Sequence, residues 1–408
     1  MKRSVEEHLE AVLGRVTALP AFDQPLMEAL GLVLAEDIVS GVNLPGFDNS
    51  AMDGYAVRAE DLAGASGAAP ITLPVIGEQR AGQMVRTIVT PGTCMRIMTG
   101  APMPRGADSV VPVEWTDGGT VNVRIDQQPP LGGSVRRFGE DVQAGQQVLE
   151  RDTLLGPRQI AVLAAVGRAR VKARPRPRVV VVSTGSELRE LGTALGDGQI
   201  YDSNSYTMAA CARDAGAEVY RVGVVDDDPK KIMDTLNDQL SRADLVITTG
   251  GVSKGAYDVV KEVLTKTGTV DFPEVAMQPG KPQGFGVLGA DEVPIFTLPG
   301  NPVSAYVSFE VFVRPALRKL MGQMPYRRSL TRGVCLDGFN SPSGRRQFVR
   351  AAARSGDEGW MASTVGGHGS HLLGGLSRAN ALIVVPEDVT SVRAGEQVEL
   401  LLLDEETG

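Results

Sequence analysis

The chain has 408 residues, of which 42% are hydrophobic, so it is long enough for two to four domains with real cores. Its formal net charge of -8 argues against a nucleic-acid partner, because binding a phosphate backbone needs a basic face. Three scattered cysteines exclude a disulfide framework. The sequence contains no run of about 18 apolar residues, so we expect no membrane-spanning helix. The charged start of the chain lacks the apolar core of a signal peptide, so we expect a cytoplasmic protein that does not bind membranes.

The first half of the sequence predicts a helical segment followed by short strands. Apolar residues at helical spacing predict helix over residues 4–35, with breaks at its prolines. Residues 36–141 alternate short apolar runs with Gly and Pro turns, which is typical of a β-rich domain. The segment Arg174–Arg178 alternates Arg with Pro, which neither a helix nor a central strand tolerates, and so predicts a linker.

After this linker the pattern changes to alternating strands and helices, which predicts a parallel sheet with right-handed crossovers. The predicted strands are Val179–Val182, Glu218–Val224, Leu245–Thr248 and two runs near 284–288 and 294–298. The predicted helices are Asn204–Ala215, Lys230–Leu240, Val259–Lys266 and Val303–Leu320. The tail, residues 323–408, is β-rich again and fits a small barrel, with strands at Ala381–Val385 and Gln397–Leu403.

Four polar loops follow strands of the predicted sheet. They are Thr184–Glu187, Asp226–Asp228, Thr249–Ser253 and Pro299–Ser304. In a parallel sheet ligands bind beyond the carboxyl ends of the strands, so these loops are expected to share one site. Their Gly, Pro and hydroxyl residues expose backbone N–H groups, which suits an anion. The Gly250-Gly251 pair lets the backbone approach a ligand closely, although the Walker spacing is absent.

Three carboxylates, Glu187, Asp227 and Asp258, lie in or beside these loops. They are placed either to hold Mg²⁺ against a phosphate or to cap helix N-termini, and the two roles are compatible. Lys281 sits on a rigid turn between a glycine and a proline, which predicts a contact with an anionic ligand. Lys254 is either a second such contact or a solvated lysine.

Several motifs together resemble one family, the MoeA-type molybdopterin molybdenumtransferases, which include the matching domain of gephyrin. The segments that carry the resemblance are Leu44–Ala56, Arg96–Ala101, Thr184–Leu188, Thr249–Ser253, Pro279–Pro282 and Leu298–Ser304. They occur in the same order over nearly the whole chain. A single Gly-Gly or Pro-Gly-Asn-Pro match would be weak, whereas the combined set is specific.

The resemblance implies a multidomain α/β and β protein. Its parts would be a three-layer α/β molybdopterin-binding domain with a parallel sheet, a β-rich insertion domain, a helical N-terminal segment and a C-terminal β-barrel. The implied boundaries are 1–45 with 142–175 for an elongated dimerisation domain, 46–141 for the insertion, 176–322 for the molybdopterin-binding domain and 323–408 for the barrel. It also implies an elongated homodimer in which the barrel of one subunit completes the pocket of the other.

The implied reaction begins with adenylylated molybdopterin. Its pyrophosphate bond is hydrolysed, AMP leaves and molybdate is inserted, with Mg²⁺ or a similar divalent cation assisting. Possible protein partners are the molybdopterin adenylyltransferase and acceptor molybdoenzymes. Two alternatives stay open: adenylylation of molybdopterin on the same fold, and a non-catalytic scaffold.

The resemblance also implies roles for individual residues. The implied catalytic residues are Asp53, Thr99, Glu187, Asp227 and Asp258, and Asp141 matches a further family acid. The implied metal ligands are Glu187, Asp227 and Asp258. The implied substrate-binding residues are Thr184, Gly185, Gly250, Gly251, Ser253, Pro299, Gly300 and Asn301. The implied molybdate contacts are Lys281, Ser304, Arg350 and Ser370. The sequence departs from the family pattern at three positions. This chain has Gln278 where the family commonly has a lysine, Lys254 where it has an apolar residue, and Ala256 where it has an acid.

Overall fold

The structure, a computed structural model, describes residues 2–83, 86–250, 259–357, 359–367 and 369–404. The chain forms two compact units, each with its own buried core. The first unit comprises Met1–Phe22, Gly31–Val33 and Ala173–Gly408, and the second comprises Asp23–Leu30 and Leu34–Lys172. Within the described ranges no helix has both the length and the hydropathy needed to cross a bilayer.

The second unit is built around a five-stranded sheet, which confirms that this region is β-rich. Its strands, in sheet order, are Ser109–Pro112, Gly54–Val57, Cys94–Ile97, Ile71–Gln79 and Asn122–Ile125. Tyr55, Val111 and Val123 lie in its core. Shorter strands are Ile38–Val39, Asn49–Ser50, Val135–Arg136 and Gln147–Leu149, and the helical segments are Ala59–Leu62, Val113–Trp115 and Pro157–Ala165. Three further strands, Phe22–Pro25, Val33–Leu34 and Arg170–Arg174, contain three of the four points where the chain passes between units.

The N-terminal helix spans only Val5–Arg15, so the longer helix predicted for residues 4–35 is wrong in its second half. Ser4 begins the helix with a reciprocal capping box, in which its hydroxyl accepts from the Glu7 amide at 3.1 Å. Residues 26–31 form turns instead. The two prolines of this region, Pro20 and Pro25, disfavour helix in the residues before them, so the first helix does not extend to residue 25.

His8 is buried on the inner face of this helix, and its ring centroid lies 4.7 Å from that of Phe312 in an edge-to-face arrangement. Its Nδ1 has no hydrogen-bond partner among the described residues. Burial, helped by the charge of Arg3, lowers the pKa of His8 from 6.5 to about 4. The folded protein therefore resists protonating a group that the unfolded chain protonates readily.

The free energy of unfolding should consequently fall as the pH drops from about 6.5 towards 4, and be unaffected by His8 above that range. The unfolded state binds the extra proton in this window, and the full loss is about 3 kcal/mol. Urea unfolding at several pH values should show a shallower acid loss in His8→Leu than in the wild type. His371→Leu, at an exposed histidine, is the control. Identical pH slopes in wild type and His8→Leu would contradict the assignment.

The central sheet of the first unit has six strands, which we number in chain order. They are β1 (Arg178–Thr184), β2 (Glu218–Val225), β3 (Leu245–Thr249), β4 (Val270–Asp271), β5 (Gly284–Leu288) and β6 (Val293–Leu298). Their order across the sheet is β2-β1-β3-β6-β5-β4. The first four in this order are parallel, as predicted, whereas β5 runs antiparallel to both of its neighbours, β6 and β4. The short β5–β6 connection causes this, because a parallel pair needs a crossover of a dozen or more residues.

Helices cover both faces of this sheet, which confirms the three-layer α/β domain. They are α1 (Asn204–Asp214), α2 (Pro229–Leu240), α3 (Val259–Lys266) and α4 (Pro302–Ser308), and α4 continues through a π-helical segment, Phe309–Val313, into α5 (Arg314–Leu320). Alternate valines of β1 face opposite layers. Val179 and Val181 pack in the core of α1 and α4, while Val180 and Val182 pack in the core of α2 and α3.

The predicted C-terminal barrel is confirmed. Its five strands are β7 (Leu330–Cys335), β8 (Arg346–Gly356), β9 (Gly359–Thr364), β10 (Ala381–Val385) and β11 (Gln397–Leu402). They close in the order β8-β9-β7-β11-β10, with β10 pairing back to β8. Phe339–Asn340 pairs with Ser391–Val392, and a short helix spans Leu373–Leu376. Outside the barrel, Leu188–Arg189 pairs with Ile200–Tyr201, and Met277–Gln278 pairs with the start of β8, which ties the α/β domain to the barrel.

Candidate active site at the sheet edge

The chain reverses its direction across the sheet between β1 and β3. It leaves β1 for β2 on one side and then returns to β3 on the other, so the carboxyl ends of β1 and β3 flank a topological switch point, the usual ligand crevice of such sheets. Hydroxyls from the two strand ends meet here, since Ser183 Oγ lies 2.9 Å from Thr249 Oγ1. Above them is a cavity of 110 Å³, lined by Thr184, Glu187, Leu188, Ile200, Tyr201, Asp202, Ser203, Asn204, Thr249, Gly250, Gly300 and Pro302.

Gly250 closes one wall of this switch-point cavity. Its amide donates to the Leu298 carbonyl at 3.2 Å, and its φ of +93° lies in the left-handed region. A Cβ added at Gly250 would lie 2.7 Å from the carbonyl oxygen of Thr184. Glycine is therefore required here on two counts, backbone conformation and space.

Gly250→Ala should destabilise the first unit by roughly 2 kcal/mol or more, because it adds backbone strain to a clash with main-chain atoms that cannot rotate away. Denaturant unfolding measures the loss. Gly198→Ala is the matched control, since Gly198 also has a positive φ but has open space around its Cα. If the two variants lose equal stability, the close approach to Thr184 is not a constraint.

Three consecutive acids follow β2, and the structure separates their roles. Asp228 caps α2 by accepting from the Lys231 amide at 2.9 Å. Asp226 pairs with the Lys231 ammonium at 2.6 Å, which lowers the pKa of that carboxyl. Asp227 instead accepts from the Ser186 amide at 3.0 Å. Helix capping, one of the two roles predicted for Asp227, is therefore performed by Asp228. Asp227 instead bonds to the loop that carries Glu187.

Part of the predicted acid and phosphate site lies outside the described residues. Gly251, Ser253 and Asp258, with Lys254 and Ala256, fall in the gap from 251 to 258. Among the residues that the structure does describe, no three His, Cys, Asp or Glu side chains are grouped closely enough to hold a metal ion.

The segment at the start of α1, Asp202–Asn204, lines the switch-point cavity. Asp202 is fully buried, and its carboxylate accepts from the Ser183 hydroxyl at 3.1 Å and from the Ser205 amide at 3.0 Å. Asn204 donates from Nδ2 to the Gly300 carbonyl at 2.7 Å and so fastens α1 to the loop after β6. Sequence reasoning missed these residues because Asp and Ser just before a helix are also ordinary caps, and Asn204 was read as the first residue of the helix.

The loop Pro299–Asn301 meets the barrel within the same chain. Asn301 Nδ2 donates to Ser370 Oγ at 3.0 Å, and the Val303 amide at the start of α4 donates to the Ser370 carbonyl at 3.1 Å. Ser304, on the first turn of the same helix, is 5% exposed. Within one chain, Ser370 of the barrel therefore contacts the loop Pro299–Asn301.

Arg350 is 4% exposed and points its guanidinium at main-chain carbonyls of one loop rather than at open space. It donates to the carbonyls of Gly367 at 2.6 Å and of Gly366 and Gly369 at 3.2 Å, and it also donates to that of Leu372. These are the residues on either side of Ser370. Arg350 therefore sets the shape of the loop that carries Ser370.

Lys281 lies on a turn held against α4. The Gln283 amide group donates to the Gly280 carbonyl and to the Ser308 hydroxyl, at 2.5 and 2.6 Å, which anchors the turn. The Lys281 side chain is 29% exposed, and its ammonium pairs with the Glu274 carboxylate at 2.9 Å. The predicted anion-binding lysine is thus displayed on a rigid turn, with an acidic partner.

In the second unit, Asp53 and Thr99 come together although 46 residues separate them. The Asp53 carboxylate accepts from the Thr99 amide at 2.7 Å and from its hydroxyl at 2.9 Å. These bonds, the amide first, lower the pKa of Asp53. Asp141 is exposed in the same unit, with its amide bonded to the Leu44 carbonyl.

Known protein families match this chain over nearly its whole length. Three family models match it: the MoeA N-terminal region (domain I and II) at residues 3–167, a probable molybdopterin binding domain at 180–319 and the MoeA C-terminal region (domain IV) at 332–403. A Mycobacterium tuberculosis (strain ATCC 25618 / H37Rv) protein named molybdopterin molybdenumtransferase 2 is 47% identical over 407 residues, which cover 98% of this chain and 99% of that protein. The chain belongs to the MoeA family.

Other similar proteins also carry names of this family. The Haemophilus influenzae molybdopterin molybdenumtransferase is 38% identical over 380 residues, with 92% of both chains covered. Two solved structures of a molybdopterin biosynthesis MoeA protein from Pyrococcus horikoshii match with TM-scores of 0.83 and 0.80 at 32% and 31% identity. They cover 99% and 98% of this chain and 100% of theirs. The MoeA-type fold expected from the sequence is confirmed.

Proposed function

We propose that this MoeA-family protein is a molybdopterin molybdenumtransferase. Water adds across the pyrophosphate bond of adenylylated molybdopterin, which gives AMP and molybdopterin. Molybdate then binds the two sulfurs of molybdopterin, and one of its oxygens leaves as water with the two thiol protons. The product is the molybdenum cofactor.

The switch-point cavity is the observation that carries this proposal. Two residues that line it, Thr184 and Asn204, each hold a buried side-chain oxygen, Oγ1 and Oδ1, that has no hydrogen-bond partner among the described residues. Burying such atoms unpaired costs free energy, and a bound ligand that reached them would offset this cost. A pterin offers N–H groups for these acceptors, and the glycine-bearing loops alongside offer backbone N–H groups for phosphates.

A divalent cation such as Mg²⁺ fits the acids on this edge. Glu187 and Asp227 lie on two loops that touch through the Ser186 amide, and carboxylate oxygens are the donors that Mg²⁺ prefers. With Asp258, they would hold the ion, which would neutralise charge on the pyrophosphate. Without a cation the same carboxylates would repel the substrate.

Asp227→Asn tests this placement, because the amide oxygen can still accept from the Ser186 amide while the charge is lost. We expect the Mg²⁺ concentration for half-maximal AMP release to rise at least about tenfold, the size of loss typical of altered metal sites. Asp226→Asn, one residue away and paired with Lys231, is the control. An unaltered Mg²⁺ dependence in Asp227→Asn would remove this residue from the cation site.

For molybdate, a tetrahedral dianion, we propose a site built from the turn of Lys281, the first turn of α4 with Ser304, and the barrel loop with Ser370. Lysine and hydroxyl donors suit an oxyanion. We propose that Arg350 contributes by holding the Ser370 loop, since its own donors are engaged by carbonyls of that loop.

We further propose that Asp53 and Thr99 act in the same reaction, that the protein works as a homodimer, and that it works in the cytoplasm. The Asp53–Thr99 pairing supports the first point, because it links two motifs of the family resemblance. The free cysteines support the cytoplasmic location. Burial raises the pKa of Cys94 and Cys211 to about 12, which is typical of unreactive thiols. The molybdopterin adenylyltransferase and acceptor molybdoenzymes are the protein partners that this function requires.

The proposal is tested against its alternative by offering the purified protein two substrates. With adenylylated molybdopterin and Mg²⁺ we expect AMP release, and with molybdopterin and Mg·ATP we expect no adenylylated product. Adenylylation without AMP release would assign the protein to the alternative reaction. The family matches over residues 3–167 and 332–403, beyond the molybdopterin-binding domain, favour the first outcome.

A further inference from the structure

The backbone places Glu274 and Lys281 on facing sides of one tight turn. The Val275 amide donates to the Lys281 carbonyl at 2.7 Å, and Glu274 forms an antiparallel bridge with Pro282. The Glu274 carboxylate lies 2.9 Å from the Lys281 ammonium. Because the register of the turn brings the two residues together, their pairing does not depend on a chance meeting of two long side chains.

Two other segments of the first unit hold the backbone on which Glu274 stands. The Arg3 amide donates to the Glu274 carbonyl at 3.0 Å, and the Ala276 amide donates to the Arg3 carbonyl at 2.8 Å. From the barrel, the Arg346 amide at the start of β8 donates to the Ala276 carbonyl at 2.9 Å. Glu274 therefore has a fixed place beside the lysine that we assign to molybdate.

This carboxylate opposes the binding of an anion at Lys281. Both side chains are partly exposed, 29% for Lys281 and 35% for Glu274, so the pair itself adds little to stability. An oxyanion that approaches the ammonium also meets the carboxylate, and like charges repel each other. The repulsion acts on both charges of a dianion, whereas orienting the ammonium only reduces the disorder of one side chain. Repulsion is therefore the larger effect.

We infer that Glu274 is a specificity-determining residue that lowers the affinity of the Lys281 turn for tetrahedral dianions. Such a repulsive element weakens the capture of unwanted anions by charge alone. Selection of molybdate is then left to donors that depend on its shape and size, such as the hydroxyls of Ser304 and Ser370. The inference rests on the proposed function, which places Lys281 in the molybdate site.

Glu274→Gln is the test, because an amide oxygen can still accept from Lys281 while the charge is lost. The molybdate concentration for half-maximal cofactor formation should fall about fivefold to tenfold, a gain that damage to the fold would not produce. Asp271→Asn is the matched control. It removes one negative charge from the same region, but the Asp271 side chain is 79% exposed and lies 3.9 Å from Arg3. It should leave the molybdate dependence unchanged.

Sulfate, a tetrahedral dianion that is not inserted, separates binding from chemistry. The sulfate concentration that half-inhibits cofactor formation should fall in Glu274→Gln by about the same factor as the molybdate concentration. Both gains should shrink as the salt concentration rises, because salt screens exposed charges.

An unchanged or raised half-maximal molybdate concentration in Glu274→Gln would overturn the inference, and so would a gain for molybdate that sulfate does not share. Failure of the proposed function is a different result, in which the wild-type protein releases no AMP and forms no cofactor at any molybdate concentration. Calorimetric binding of molybdate to the wild type and to Glu274→Gln would then still decide the role of Glu274.

Discussion

Arg350→Ala is expected to raise the molybdate concentration needed for half-maximal cofactor formation by about tenfold to a hundredfold. The change removes the donors that hold the loop around Ser370, and each hydrogen bond to a charged group is worth about 1.5–3 kcal/mol. Losing them frees the loop that meets Asn301 and α4. Cofactor formation over a range of molybdate concentrations measures the effect.

Arg350→Lys distinguishes positioning from direct contact with molybdate. A lysine keeps the positive charge but cannot reach several carbonyls in a fixed fork, so we expect it to restore little of the lost molybdate affinity. Arg354→Ala, at an exposed arginine on the same strand, should behave as the wild type. A lysine variant with wild-type molybdate dependence would show that charge alone matters at this position.

Glu310→Ala is expected to cause the largest loss of stability, about 3–5 kcal/mol, with a melting temperature lower by roughly 10 °C. Glu310 lies in the buried π-helical segment between α4 and α5. Its carboxylate accepts from Arg314 at 2.9 and 3.1 Å and from Arg328 at 2.9 Å. Removing it leaves two buried guanidinium groups without this counter-charge.

Calorimetry of Glu310→Ala beside Glu262→Ala tests this prediction. Glu262 also pairs with a basic residue four positions along its helix, at 2.7 Å, but both partners are exposed. Exposed pairs contribute at most about 1 kcal/mol, so the second variant should melt close to the wild type. Equal losses in the two variants would contradict a special role for the buried cluster.

The sequence predicts the layout of the molecule well where local pattern and burial agree. The Val179–Val182 run predicts a strand buried on both faces, and its valines do alternate between two cores. The pattern failed where the length of a connection decided the topology, as in the antiparallel β5–β6 pair. It also failed for residues 26–31, where apolar residues at helical spacing form turns.

For the candidate site, the loops were predictable and the directions of the side chains were not. Parallel strands bring the loops of Thr184, Asp227 and Gly300 to one edge, and polar composition identifies them. No local pattern shows that Asp228 rather than Asp227 caps a helix, or that Arg350 faces carbonyls. Those directions depend on residues that are distant in sequence, such as Ser186 for Asp227.

We expect this one protein both to remove the nucleotide from an adenylylated pterin and to insert molybdate. The most direct measurement is a single incubation of the purified protein with adenylylated molybdopterin, Mg²⁺ and molybdate, in which released AMP and pterin-bound molybdenum are both quantified. We predict one AMP for each molybdenum bound, with both products lowered together in Asp227→Asn. AMP release without any molybdenum bound to the pterin, or no AMP release at all, would contradict it.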